Sequence, residues 1–172
     1  ERLDWNDHFI DANKNIWDSP SLSKNKSLPW SDIFIDRYRD LWSWSSLSQN
    51  ESLPWSEAFV DRYKTFWDWE KISENKAMPF SEAFLVRYEE LLNWDSISKA
   101  ESIPWSAAMI ERHRDLIDWS SFSCNESLPF SETLLEQHKD LWDWERLSSR
   151  KSLPWSETIL EQHKDLWGWT CI

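Results

Sequence analysis

The sequence predicts an all-α solenoid of seven 25-residue helix-turn-helix repeats stacked into one elongated core. Three observations predict it. Proline recurs every 25 residues, at Pro29, Pro54, Pro79, Pro104, Pro129 and Pro154. Within each unit the apolar residues fall at helical rather than strand spacing. The chain also holds a single glycine, Gly168, which argues against an all-β fold with many tight turns and against flexible linkers.

The units are 1–25, 26–50, 51–75, 76–100, 101–125, 126–150 and 151–172, in register without insertion or deletion. The first departs most: Asp4 replaces the proline and Ser19 replaces a tryptophan, which fits an N-terminal cap. The last stops at Ile172, inside the register, as a segment of a longer array would.

Numbering each unit 1 to 25, the first element follows the proline at position 4. An aromatic residue at 5, apolar residues at 9 and 10, tyrosine or histidine at 13 and an apolar residue at 16 share one helical face. In the third unit these are Trp55, Phe59, Val60, Tyr63 and Phe66. Proline suits a first helical turn, where its missing N–H has no partner to lose. Acidic residues near that end favour the helix dipole. The expected first helix therefore covers roughly positions 4–16. A W-x-W-x-x-[LIF]-S stretch follows, for example Trp67, Trp69, Ile72 and Ser73. Position 18 is often aspartate (Asp68, Asp118, Asp143), a good N-cap. It predicts a second helix of about two turns and a polar link to the next proline. Neither helix buries its apolar face alone, so neighbours must stack. Seven layers would make a rod of roughly 60–70 Å.

The pattern carried by Trp42, Trp44, Leu47, Ser48, Asn50, Leu53, Pro54 and Trp55 resembles the short tryptophan-rich repeats found in long arrays in some large DNA viruses and bacteria. The resemblance spans the whole chain, more weakly in the first unit. It implies an α-helical repeat and no defined chemistry.

Composition narrows the function. The net charge of −12 disfavours nucleic acid, whose binding rests on lysine and arginine, and disfavours anionic membranes. No apolar run approaches a membrane span, and no secretory signal pattern opens the chain. Cys124 and Cys171 occupy different repeat positions and form no metal or disulfide framework. A reduced, cytoplasmic setting is the default expectation.

Each residue type that could form a site also has a packing role. The series Trp44, Trp69, Trp94, Trp119, Trp144 and Trp169, with Trp30, Trp55, Trp105 and Trp155, reads as core rather than a stacking ladder for sugars or bases. His113, His138 and His163 stand where earlier units have Tyr38, Tyr63 and Tyr88. They read as packed rings with a polar tip toward solvent. The position-23 serines (Ser23, Ser48, Ser73, Ser98, Ser123, Ser148) and the asparagines Asn25, Asn50, Asn75 and Asn125 read as backbone partners at helix ends and turns.

One surface feature points further. Positions 7, 11 and 15 form an acidic stripe: Asp32, Asp36, Asp40, Glu57, Asp61, Glu132, Glu136, Asp140, Glu157, Glu161 and Asp165. A basic row runs beside it, including Arg37, Arg62, Arg87, Lys139 and Lys164. The stripe is either a solvated face laced with salt bridges or a docking surface for a basic partner.

The functional expectation is a non-enzymatic scaffold binding a protein or peptide along one face. The alternative is a structural spacer or rod, or a unit that self-associates end to end. No glycine-rich phosphate loop, nucleophile elbow, H-E-x-x-H or metal-type cysteine cluster is present, so neither an enzyme nor a cofactor is expected.

Overall fold

A computed structural model describes residues 7–150, 153 and 155–168. The positions Asp4, Pro154, Trp169, Cys171 and Ile172 lie outside them. Among the described residues every regular element is helical. The chain divides into two compact units. The N-terminal unit comprises residues 1–79 and 87–92. It holds α1 (Asp7–Asn13), α2 (Ser19–Ser23), α3 (Asp32–Arg37), a single 3-10 turn (Arg39–Leu41), α4 (Trp44–Ser48), α5 (Glu57–Arg62) and α6 (Trp69–Glu74). The C-terminal unit comprises residues 80–86 and 93–172. It holds most of α7 (Glu82–Arg87), then α8 (Trp94–Lys99), α9 (Ala107–Arg112), α10 (Trp119–Phe122), α11 (Glu132–Gln137), α12 (Trp144–Ser148) and α13 (Glu157–Gln162). No helix of the described residues is long and apolar enough to cross a membrane.

The helical repeat is present, but the first helix is half the expected length. It covers positions 7–12, not 4–16. Its start is set by the serine at position 6. Ser56 is extended (φ −154°, ψ 161°) and its side chain accepts the Phe59 N–H at 3.2 Å. Ser31, Ser81, Ser106, Ser131 and Ser156 cap in the same way at 3.1–3.2 Å. An extended N-cap cannot lie inside a helix, so the proline precedes the helix instead of opening it. There the Trp55 N–H closes back on the Leu53 carbonyl at 2.8 Å.

The helix ends at position 12 because position 13 leaves helical geometry, as at Tyr63 (φ −116°, ψ 21°). A turn follows, in which the N–H of position 16 bonds the carbonyl of position 13. Examples are Phe66 to Tyr63 (2.9 Å) and Leu141 to His138 (2.9 Å). This turn points position 16 outward. Phe66, Leu91, Leu116, Leu141 and Leu166 are 36–44% exposed rather than part of the core face. The remaining apolar positions are buried as expected, with Val60, Leu85, Ile110 and Leu135 fully enclosed.

The second helix begins at position 19, as expected. Its N-cap accepts a backbone N–H in α6 (Asp68 from Lys71, 3.3 Å), α8 (Asn93 from Ser96, 2.9 Å) and α12 (Asp143 from Arg146, 3.1 Å). Four to six residues long in these units, it falls short of two full turns. Its buried anchor is position 22, where Leu47, Ile72, Ile97, Phe122 and Leu147 are wholly enclosed.

Candidate functional site

Such short helices leave most of their backbone groups without an intrahelical partner, and the side chains of the repeat supply those partners. The position-23 serine acts twice. Ser48 Oγ donates to the Trp44 carbonyl (2.8 Å) and accepts the Asp68 N–H of the next repeat (3.0 Å). Ser23 receives the Ser43 N–H in the same way (2.9 Å). In the C-terminal unit Ser98, Ser123 and Ser148 receive the N–H groups of Asp118, Asp143 and Gly168 at 2.8–3.0 Å. The asparagine of position 25 also reaches the preceding repeat. Asn50 Nδ2 donates to the Ser23 carbonyl (2.8 Å), Asn75 to Ser48 (2.8 Å) and Asn125 to Ser98 (2.9 Å). Both residue types therefore join repeats as well as closing local turns.

Arg150 occupies the asparagine position in the sixth repeat and performs the same task. Its Nη1 donates to the carbonyls of Ser123 (3.1 Å) and Asn125 (2.7 Å). The guanidinium also meets Glu126 at 3.2 Å and lies 4.6 Å above the Phe130 ring.

The tryptophans separate into two depths. Position 17 is the core: Trp42, Trp67, Trp142 and Trp167 are 4–6% exposed. In the N-terminal unit these indoles donate to the position-10 carbonyl, Trp42 to Ile35 and Trp67 to Val60, both at 3.0 Å. The equivalent N–H groups of Trp142 and Trp167 are buried without a hydrogen-bond partner. The position-19 series expected in the core is shallower. Trp44, Trp69, Trp94 and Trp119 are half-buried, and only Trp144 of the described members is buried. The N–H groups of Trp69, Trp119 and Trp144 cap the turn, on the carbonyls of Lys64 (3.2 Å), Arg114 (2.8 Å) and Lys139 (2.8 Å). The position-5 rings Trp30, Trp55 and Trp155 are half-buried while Trp105 is buried. The N–H groups of Trp30, Trp55 and Trp155 reach the end of the preceding repeat, as Trp55 on the Asn50 carbonyl (2.9 Å), whereas that of Trp105 is buried without a hydrogen-bond partner.

The position-13 rings do not turn their tips to solvent. Tyr63, Tyr88, His113, His138 and His163 are at most 4% exposed. Each lies against the position-19 tryptophan of the preceding repeat, at 4.7–5.3 Å between centroids. The polar tips of Tyr63, Tyr88, His138 and His163 meet acids of that repeat. Tyr63 Oη donates to Asp36 (3.1 Å) and Tyr88 Oη to Asp61 (2.6 Å). Nε2 of His138 and of His163 lies 3.7 Å from Glu111 and Glu136. Burial, then the Asp36 hydrogen bond, pushes the Tyr63 hydroxyl up to about 12. Burial pushes Tyr88 up further, with Asp61 adding to it. Burial lowers His138 below the ordinary imidazole value, against the opposing pull of Glu111.

These contacts divide the acidic stripe. Position 11 is engaged at Asp36, Asp61 and Glu136. Asp36 meets Arg39 (3.0 Å), Arg62 and Tyr63, Asp61 meets Arg87 and Tyr88, and Glu136 meets Lys139 (2.8 Å) and His163. Burial opposes ionisation of Asp36, but hydrogen bonds from Arg62, Arg39 and Tyr63 outweigh it and hold the carboxyl below its usual range. At position 7, in the first helical turn, Asp32 approaches Arg62 at 4.0 Å and Glu132 accepts from Ser156 Oγ at 3.0 Å. Glu57 and Glu157 occupy the same first-turn place, and Glu161 stands at position 11 in α13. Position 15 lies beyond the shortened helix, in the outward turn. Asp40, Asp140 and Asp165 are exposed there beside the apolar residue of position 16. That apolar row was missed because position 16 continues the helical spacing of positions 9 and 13. Only the turn after position 13 reveals its direction.

Among the described residues, no group of three histidine, cysteine or acidic side chains is placed to hold a metal ion. Compared with known proteins, the chain matches no family model, no curated protein and no solved structure. The tryptophan-rich helical repeat itself is evident.

Proposed function

We propose that the seven repeats stack as one solenoid serving as a non-enzymatic scaffold for a protein or peptide partner. One observation carries the reading. The same serine junction recurs from repeat to repeat within each unit, accompanied by an asparagine junction at Asn50, Asn75 and Asn125 and by Arg150 in the sixth repeat. Equivalent outer positions therefore return at the same place in successive layers, building an extended open surface rather than an enclosed pocket. The partner site is the acidic stripe, and the partner carries net positive charge.

The test is affinity capture by the whole chain, with identification of what is held. A parallel bait carries Asn or Gln at positions 7, 11 and 15, and circular dichroism verifies its fold. A single reproducible partner, lost by the neutralised bait, supports the scaffold and its site. Absence of any partner overturns the reading.

A second reading is a structural spacer. It is favoured by the near identity of SETLLEQHKDLWDW in the sixth repeat and SETILEQHKDLWGW in the seventh, since a spacer needs length and not variety.

A further inference from the structure

Position 16 is apolar in all seven repeats, from Ile16 to Leu166. Yet Leu116, Leu141 and Leu166 of the C-terminal unit are 38%, 36% and 44% exposed. Other outer positions drift: position 8 holds Ile33, Ala58 or Thr133, and position 20 holds Ser45, Glu70 or Asp95. Covering the tryptophan of the preceding repeat, as Phe66 does on Trp44 at 4.8 Å, accounts for the buried part of the side chain. It leaves the outer third unexplained.

The three leucines occupy equivalent places. Two residues beyond each, the backbone N–H of Asp118, Asp143 or Gly168 makes the same bond to the serine of the preceding repeat. The charge around them is negative. An aspartate precedes each leucine: Asp115, Asp140 and Asp165. Nearby cations are already engaged, Lys139 by Glu136 at 2.8 Å and Arg114 by Glu111 at 3.9 Å and Asp115 at 3.5 Å. Among the described residues, Asp140 and Asp165 form no ion pair.

We propose that this row of leucines with its adjoining aspartates docks a basic amphipathic helix of a partner protein. The apolar seam of that helix covers the leucines, and flanking lysines or arginines meet the aspartates. The pitch favours a helix. Packed helical layers lie about 8–10 Å apart, and a helix advances about 10 Å in seven residues while keeping one face forward. One heptad thus serves one repeat. The proposal rests on the scaffold reading and names its partner class and contact residues.

The probe is a fluorescein-labelled 21-residue peptide of leucine and lysine with one leucine seam, its design set by about seven residues per layer. A scrambled peptide of the same composition is the comparator, and fluorescence anisotropy on the whole chain is the readout. The seamed peptide is expected to bind at least tenfold tighter than the scrambled one. Leu116→Ser, Leu141→Ser and Leu166→Ser together should weaken it at least tenfold, with the far-ultraviolet spectrum unchanged. Asp115→Asn, Asp140→Asn and Asp165→Asn together should weaken it and flatten its salt dependence. Equal binding of the two peptides would reduce the effect to bulk charge and overturn the proposal. So would unchanged affinity in the asparagine variant, which decides the matter if the serine variant unfolds. A dimer of the parent chain that the serine variant breaks would assign the row to a second copy instead. A captured protein held equally by the serine and asparagine variants would preserve the scaffold and overturn only this docking mode.

Discussion

The hydroxyl of Ser48 accepts the backbone N–H of Asp68, twenty residues along the chain, at 3.0 Å. The same hydroxyl donates to the Trp44 carbonyl. One side chain thus ends its own helix and fixes the start of the next repeat's helix. Ser48→Ala strands a donor and an acceptor at a buried junction, and each such group costs about 1–3 kcal/mol. The expected loss is about 2–4 kcal/mol by urea denaturation. Ser45→Ala removes an exposed bond to the Asp68 side chain and is expected to cost under about 0.5 kcal/mol. Equal losses would contradict the junction role.

Trp67 and Trp142 occupy the same repeat position with different hydrogen bonding. Trp67→Phe removes a buried bond and strands the Val60 carbonyl, whereas Trp142→Phe removes an N–H that is already buried without a partner. Both lose similar volume. Trp67→Phe is expected to be the more destabilising by about 1 kcal/mol, measured by paired denaturation curves.

Alkaline stability follows from the buried tyrosines. Tyr63 is raised to about 12 in the folded chain, against about 10 when unfolded. Its folded value being the higher, its contribution is complete below pH 10 and is lost as pH rises through 12. Linkage sets that contribution at about 2–3 kcal/mol. Absorbance of tyrosinate should show Tyr63 and Tyr88 titrating late and together with unfolding. Tyr63→Phe should flatten part of the alkaline loss while weakening the fold near neutrality by about 1 kcal/mol.

On the acid side, His138 has the opposite sign. Its folded value is lowered by burial, so its contribution is present above the unfolded value of about 6.5 and is lost as pH falls through the folded value. His138→Tyr restores the residue type of Tyr63 at that place. It is expected to reduce the stability difference between pH 7.5 and pH 5, read from urea midpoints.

Arg150 tests whether the junction needs its charge. Arg150→Asn restores the donor used at Asn50, Asn75 and Asn125 and releases a cation whose value burial lowers. Stability within about 1 kcal/mol of the parent is expected, since exchanging a buried charge for a satisfied neutral group is often neutral or favourable. Arg150→Ala leaves the Ser123 and Asn125 carbonyls without that donor and should cost about 2–4 kcal/mol.

The 25-residue period, the all-helical class and the second helix's starting point were legible because periodicity and a capping residue are local signals. The same is true of the position-9, position-10 and position-22 core. The length of the first helix was not. Pro54 and Glu57 are both compatible with a first turn, and Ser56 between them becomes the cap only because its backbone is extended in the folded chain. The outward direction of Phe66 and Leu141 was hidden for a related reason, since a turn at position 13 breaks a spacing that otherwise continues unchanged.

By itself, then, the sequence determined a chain of similar helical units, their register and their net negative charge, all properties of spacing and composition. Tertiary structure alone decided where the polar groups of those units go. It set the tips of Tyr63 and His138 against acids of the preceding repeat, and it joined successive repeats through Ser48 and Asn75. It drew Asp36 into a surface ion network with Arg39 and Arg62 while leaving Asp140 beside an exposed leucine. The physical reason is that a hydroxyl, amide or carboxylate has several equally good partners in an extended chain, and only the packing of one repeat on the next selects among them.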